Sequence, residues 1–116
     1  ALNKLFKLDL SNNQLSGEIP SEIGNLINLN SLRLFRNQLT GEIPPSIGHI
    51  IELEFLYLQD NQLTGNVPIE LGNLMNLKYV LLTSVFGARL TSVICNNKKE
   101  LCICGDPTIL SPYNSQ

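Results

Sequence analysis

The sequence has 116 residues, is 43% hydrophobic and carries a formal net charge of −2 from eight basic and ten acidic residues. That is enough chain for one domain and too little for two. The basic residues Lys4, Lys7, Arg33, Arg36, Lys78, Arg89, Lys98 and Lys99 are scattered, so neither nucleic acid nor an anionic membrane is an expected partner. No apolar run approaches the ~20 residues that cross a bilayer, and ALNKLFKLDL lacks the basic start and small-residue cleavage site of a signal peptide.

A fixed period runs through most of the chain. Three 24-residue units align without a gap: LNKLFKLDLSNNQLSGEIPSEIGN from Leu2, LINLNSLRLFRNQLTGEIPPSIGH from Leu26 and IIELEFLYLQDNQLTGNVPIELGN from Ile50. The shared pattern is LxxLxxLxLxxNxLxGxIPxxIGN. Near the start of each unit apolar residues alternate with variable ones, the period of a strand with one buried face. FKLDL, NSLRL, EFLYL and, in a fourth unit, KYVLL are the four such segments. Each unit is therefore expected to give one short strand, with Leu8 and Leu10, Leu32 and Leu34, Leu56 and Leu58, and Val80 and Leu82 pointing inward. Stacked units make a parallel sheet, and the rest of each unit supplies the crossover that parallel pairing needs.

The other repeated positions have structural uses. Asn13, Asn37 and Asn61 follow the strands, where an amide can satisfy turning backbone groups of its own and the neighbouring coil, giving an asparagine ladder. Gly17, Gly41 and Gly65 permit a bend or close packing, and Pro20, Pro44 and Pro68 fix the backbone where no ladder donor is needed. Leu15, Leu39 and Leu63, then Ile19, Ile43 and Val67, then Ile23, Ile47 and Leu71 fill the interior on the return path.

These repeated residues resemble the plant-specific leucine-rich repeat of receptor-like kinase and receptor-like protein ectodomains and of polygalacturonase inhibitors, over residues 2 to about 82. The resemblance implies an α/β solenoid with a short parallel sheet on its concave face and an irregular or 3-10 convex side. It implies recognition of a protein or peptide, with enzyme inhibition as a narrower version, no cofactor and no catalysis.

After Leu82 the pattern fails. A three-residue insertion restores a partial match, in which Leu90 and Ile94 take the buried slots of a degenerate last repeat. The expected division is therefore repeats over 1–94 and a cysteine-containing cap and tail over 95–116, because the end coil of a solenoid exposes its core unless it is covered. At the other end the helical cap of the family is missing. Leu2, Leu5, Leu8 and Leu10 are expected to be exposed there unless a longer chain or a neighbouring chain covers them.

The variable strand positions face away from the core and line up as stripes: Lys7, Ser31, Phe55, Tyr79; Asp9, Arg33, Tyr57, Leu81; Ser11, Phe35, Gln59, Thr83; and Asn12, Arg36, Asp60, Ser84. Four of the seven aromatic residues fall there, beside two arginines. Aromatics and arginine dominate interface energetics. The candidate ligand-binding residues are Lys7, Asp9, Ser31, Arg33, Phe35, Arg36, Phe55, Tyr57, Gln59, Asp60, Tyr79 and Leu81. The competing explanation is that aromatics simply stabilise a sheet surface by cross-strand contact. Arg36 with Asp60, and Asp9 with Arg33, are expected to pair across neighbouring strands. A patch of roughly 350 Å², against the ~800 Å² per partner of a standard interface, suits a peptide or a weak partner.

Cys95, Cys102 and Cys104 are confined to the cap region. Cys95 can pair with Cys102 or with Cys104, leaving one thiol over; reduced thiols and a metal site are the alternatives. A disulfide there would imply an oxidising compartment. No metal site is expected, because there is no second cysteine pair and the single His49 occupies the slot of Asn25 and Asn73. One histidine, no nucleophile signature and no phosphate-binding GxxxxGK[ST] leave an enzyme without obvious machinery. The leading expectation is a recognition module at the cell surface or outside the cell. A structural subunit of a larger assembly is the alternative, and the lack of any NxS/T sequon keeps an intracellular or organellar location open.

Overall fold

The structure is a computed structural model that describes residues 4–82, together with the backbone of residues 94–95 and 102–103. Among the described residues nine short strands succeed one another: β1 (Lys7–Asp9), β2 (Ser16–Glu18), β3 (Ser31–Arg33), β4 (Gln38–Gly41), β5 (Phe55–Tyr57), β6 (Gln62–Leu63), β7 (Tyr79–Leu81), β8 (Ile94–Cys95) and β9 (Cys102–Ile103). Between them lie three 3-10 segments, Ser21–Asn25, Pro45–His49 and Ile69–Asn73.

The concave sheet has the order β1-β3-β5-β7, all parallel. Its register steps by one repeat, with Leu8 opposite Leu32, Leu32 opposite Leu56 and Leu56 opposite Val80. Alternation of side chains along each strand then sends these apolar residues to one side and the variable residues to the other. Leu32, Leu34, Leu56, Leu58, Val80 and Leu82 are buried, and so are Leu39, Ile43, Ile47, Leu63, Val67 and Leu71 on the return path. The first coil has no described coil against its outer side. Leu8 there is only half-buried, while Leu10 and Leu15 are 40% and 38% exposed. Leu2 lies outside the described residues.

The expectation of one strand per unit is corrected: each of the first three units contributes two. β2, β4 and β6 form a second parallel sheet. Its segments contain Gly, Ser and Gln, which carry little strand signal in sequence. What makes them strands is the regular stacking, which brings backbone groups of successive coils into pairing distance. This sheet is slipped relative to the repeat, since Ser16 lies opposite Gln38 instead of its equivalent Thr40. A slip of two residues preserves the inward and outward alternation, so Leu39 and Leu63 stay in the core.

The 3-10 segments come directly after Pro20, Pro44 and Pro68, whose φ values of −70°, −68° and −62° suit a ring-locked residue. Adjacent segments touch through glycine. A Cβ added to Gly24 would lie 2.4 Å from the Ser46 carbonyl oxygen, and one on Gly48 would lie 2.6 Å from that of Glu70. The glycine of the IGN motif is thus required by close approach of backbone to side-chain space.

The asparagine ladder joins the two sheets. Asn37 Nδ2 donates to the carbonyls of Leu10 and Leu34, both at 3.0 Å, while its Oδ1 accepts from the Leu15 N–H at 3.1 Å. One coil on, Asn61 repeats the pattern with Leu34 O at 3.0 Å, Leu58 O at 3.1 Å and Leu39 N–H at 3.0 Å. Each amide therefore satisfies carbonyls of two coils at the end of the concave strands and an N–H at the start of the second sheet.

Beyond Leu82, β8 and β9 pair antiparallel, with Cys95 opposite Cys102 and Ile94 opposite Ile103. The side chains of the three cysteines, Thr83, Ser84 and the remaining cap region lie outside the described residues, and with them the expected disulfide and the boundary at residue 94.

Candidate functional site

The concave sheet brings the predicted stripes together in register: Lys7, Ser31, Phe55 and Tyr79 in one row, Asp9, Arg33, Tyr57 and Leu81 in the next. Phe35 and Gln59 continue along the same strands, and each is half-buried, as are Arg33, Phe55, Tyr57 and Leu81. Lys7, Asp9, Arg36, Asp60 and Tyr79 are exposed. Ser31 departs from the expectation. It is only 3% exposed, because a short side chain in this row lies beneath its larger neighbours, and its hydroxyl accepts a hydrogen bond from Arg33 Nε at 3.1 Å. Ser31 therefore supports the surface without forming it.

The four aromatic residues make one continuous ridge that crosses the strands diagonally. Phe35 meets Tyr57 edge-on at 6.4 Å, Tyr57 lies 6.4 Å from Phe55, and Phe55 stacks on Tyr79 at 5.5 Å with the rings 2° from parallel. Offset and edge-to-face contacts of this kind are worth about 0.5–1.5 kcal/mol each beyond buried area. Part of their role is thus internal to the sheet. Tyr79 nevertheless keeps 51% of its surface in solvent.

The charges around the ridge match expectation at one place and depart from it at another. Arg36 Nε lies 3.7 Å from Asp60 Oδ2, an exposed pair worth no more than about 1 kcal/mol. Asp9 and Arg33 face each other in register, yet the ion pairs found among the described residues are Arg36–Asp60 and Lys78–Glu54. Asp9 Oδ1 is instead taken by Ser11, which donates its backbone N–H at 3.0 Å and its hydroxyl. These bonds, aided to a smaller extent by the charge of Arg33, hold the Asp9 carboxyl below the usual aspartate range. Arg33 is left with Ser31 at its Nε and the Tyr57 ring beneath its guanidinium, 5.1 Å from the centroid.

Two features of the site carried no sequence signal. Asn12, Arg36 and Asp60 have φ values of +58°, +57° and +59°, a left-handed turn that ends each concave strand. Asn and Asp tolerate it, whereas the same conformation costs arginine about 1–2 kcal/mol. Gln59 buries its Oε1 without a hydrogen-bond partner among the described residues, an acceptor whose loss of water is uncompensated there.

Among the described residues no group of three or more His, Cys, Asp or Glu is placed to hold a metal ion, and no helix is long and apolar enough to cross a membrane. His49 is exposed at the end of its 3-10 segment.

The sequence matches the Leucine Rich Repeat family over residues 4–26, 28–50 and 52–74. Among solved structures it resembles the leucine-rich-repeat ectodomain of the Arabidopsis thaliana membrane receptor kinase GASSHO1/SCHENGEN3, crystallised with CASPARIAN STRIP INTEGRITY FACTOR 2. The identity is 45%, over 72% of this chain and 10% of that one, with a TM-score of 0.67. It is similar to the plant peptide hormone receptor RGFR1 in complex with RGF2, at 43% identity over 77% of this chain and 14% of that one, TM-score 0.70. The BIR3–SERK2 complex of Arabidopsis thaliana contains a further relative, 40% identical over 77% of this chain and 46% of that one, TM-score 0.66. The chain thus spans only about a tenth to a half of the length of these relatives. No curated protein matches it. With three matched repeats, two parallel sheets and an asparagine ladder between them, this chain belongs to the leucine-rich-repeat family, in its plant form.

Proposed function

We propose that this chain is a non-enzymatic recognition module, acting at the cell surface or outside the cell, that binds a peptide or a protein segment across its concave sheet. The observation that carries this reading is the aromatic ridge Phe35–Tyr57–Phe55–Tyr79, continuous across three coils and partly open to solvent. Rigid aromatics provide contact area at low entropic cost. The relatives crystallised with CASPARIAN STRIP INTEGRITY FACTOR 2 and with RGF2 support a peptide as the class of ligand.

The test is selection of peptides from a displayed library on the 116-residue chain, followed by binding of the selected peptides to a Phe55→Ala/Tyr57→Ala variant. Truncating two central aromatics should weaken binding by about 2 kcal/mol or more, some thirtyfold, while the circular dichroism of the variant stays that of a folded solenoid. Selected peptides that bind the double variant as well as the parent would remove the concave face from the account.

A further inference from the structure

The turn that leads from each 3-10 segment back to the concave sheet carries an apolar residue where the core does not need one. Ile50 and Leu74, then Leu29, Leu53 and Leu77, enter the core from these turns and are fully or almost fully buried. The residues between them, Ile27, Ile51 and Met75, are exposed, and Ile51 at the centre keeps 58% of its surface in solvent. All three occupy one position of the 24-residue repeat, so stacking of the coils lines them up as a stripe along the flank of the solenoid. Asn76 ties two of these turns together, its Nδ2 donating to the Ile51 carbonyl at 3.3 Å.

Polar residues border the stripe on both sides. Asn25, His49 and Asn73 end the 3-10 segments ahead of it, Asn28, Glu52 and Asn76 follow it, and all six are exposed. An apolar centre with a polar rim is the anatomy of a protein interface. The rim consists of neutral amides except at the middle coil, where an imidazole stands on one side of Ile51 and a carboxylate on the other. Neither His49 nor Glu52 makes an ion pair among the described residues.

Such a surface is complementary to itself. A two-fold axis along the stripe brings each apolar residue against its own copy and sets the row ahead of the stripe against the row behind it. Asn25 then faces Asn28 of the other copy, Asn73 faces Asn76, and His49 faces Glu52, this last pair occurring twice by symmetry. An axis across the stripe would set Glu52 against Glu52, so the charges select the first arrangement.

We propose that the Ile27–Ile51–Met75 flank is a contact between two copies of this chain, which lie side by side with their solenoids running parallel. The inference is independent of the peptide reading, because the stripe shares no residue with the concave face. A stripe three coils long gives a contact below the ~1,200 Å² of a standard interface, so the association is weak and reversible.

The experiment is sedimentation equilibrium of the 116-residue chain from about 10 μM to 1 mM, a range that brackets weak association, after any disulfide-linked species has been removed. A monomer–dimer equilibrium is expected. Ile51→Asp places two carboxylates together on the axis and should weaken the dimer at least about tenfold. His49→Glu creates two like-charge pairs and should weaken it several-fold, and adding Glu52→His to that variant should restore it to within about twofold of the parent. The urea midpoints of all these variants should stay near that of the parent, since the substituted side chains are exposed. Phe55→Ala should leave the dimer unchanged. A chain that stays monomeric throughout, a dimer that survives Ile51→Asp, or a dimer lost in Phe55→Ala overturns the inference. So does open-ended association, which would point instead to the exposed Phe6 and Leu10 of the first coil.

Discussion

The two parallel sheets are built from the same repeats by the same chain, and they differ in what they allow to vary. Around the second sheet the repeat-equivalent outward positions stay nearly constant: Gln14, Gln38 and Gln62 are all exposed and identical, and Ser16, Thr40 and Thr64 are all small hydroxyl residues, although the two-residue slip sets Ser16 opposite Gln38 and Thr40 opposite Gln62. Across the concave sheet the equivalent row reads Lys7, Ser31, Phe55, Tyr79. Apart from the buried Ser31, both sets of residues see water on one side and the same core on the other. Repetition of the scaffold therefore acts as an internal control, and the departure from repetition on one face is what singles out the proposed binding surface.

The comparison is broken most severely at the element both sheets share. Asn61→Ala would strand the Leu34 and Leu58 carbonyls and the Leu39 N–H, at about 1–3 kcal/mol for each buried group left unsatisfied. After partial relaxation and entry of water, a net loss of roughly 2–4 kcal/mol is expected in urea unfolding. Gly48→Ala acts where the 3-10 segments touch. Its methyl group would press on the Glu70 carbonyl, and overpacking of this kind costs about 1–3 kcal/mol, measured in the same way. Gly48 lies away from the concave surface, so its variant should keep the peptide preferences of the parent, whereas Asn61 also holds the Gln59 carbonyl at the edge of that surface.

Arg36 sharpens the comparison in the other direction. In the left-handed conformation its side chain is a poor choice beside Asn12 and Asp60, and the exposed ion pair with Asp60 offsets little of that strain. Arg36→Asn should raise stability by about 0.5–1 kcal/mol, seen as a higher urea midpoint, while removing a cation from the face. A destabilised Arg36→Asn variant would mean that the guanidinium is held more firmly than its surface exposure suggests. The outward row of the second sheet should be nearly silent. Gln38→Ala and Gln62→Ala are expected to stay within about ±0.5 kcal/mol of the parent and to leave binding unchanged.

The smallest effect is one of pH. Ser11 lowers the folded-state value of Asp9 below that of the unfolded chain. The associated stability is therefore complete above the ordinary aspartate range and is lost as pH falls through the depressed value. Ser11→Ala should flatten that acid limb slightly. An acid limb identical in the variant would place the proton uptake at another carboxylate.

Much of this was legible in sequence, for physical reasons that also mark where reading stops. The 24-residue period and the alternation in NSLRL and EFLYL fix the concave strands, since burial of one face leaves a pattern in side-chain type. The ladder is legible for a similar reason: an amide that recurs after each strand has donors and an acceptor for several backbone groups. The second sheet was missed because Ser16–Glu18 and Gln38–Gly41 pair through backbone atoms that carry no side-chain signature. Gly24 and Gly48 were silent because the clash each avoids lies one coil away. Ser31 occupies its predicted row, but burial depends on the size of its neighbours, which periodicity does not weigh. Asp9 and Arg33 were expected to pair across the register, and a hydroxyl two residues along the chain took the carboxylate first.

The most direct test of the central claim is amide hydrogen exchange on the 116-residue chain, alone and saturated with a peptide selected on it. Slowed exchange confined to the concave strands Ser31–Arg33, Phe55–Tyr57 and Tyr79–Leu81 and the residues just after them is the predicted footprint. Slowing centred on Gln38–Gly41 and Gln62–Leu63, with the aromatic strands unchanged, would put the binding surface on the repetitive sheet and contradict the account.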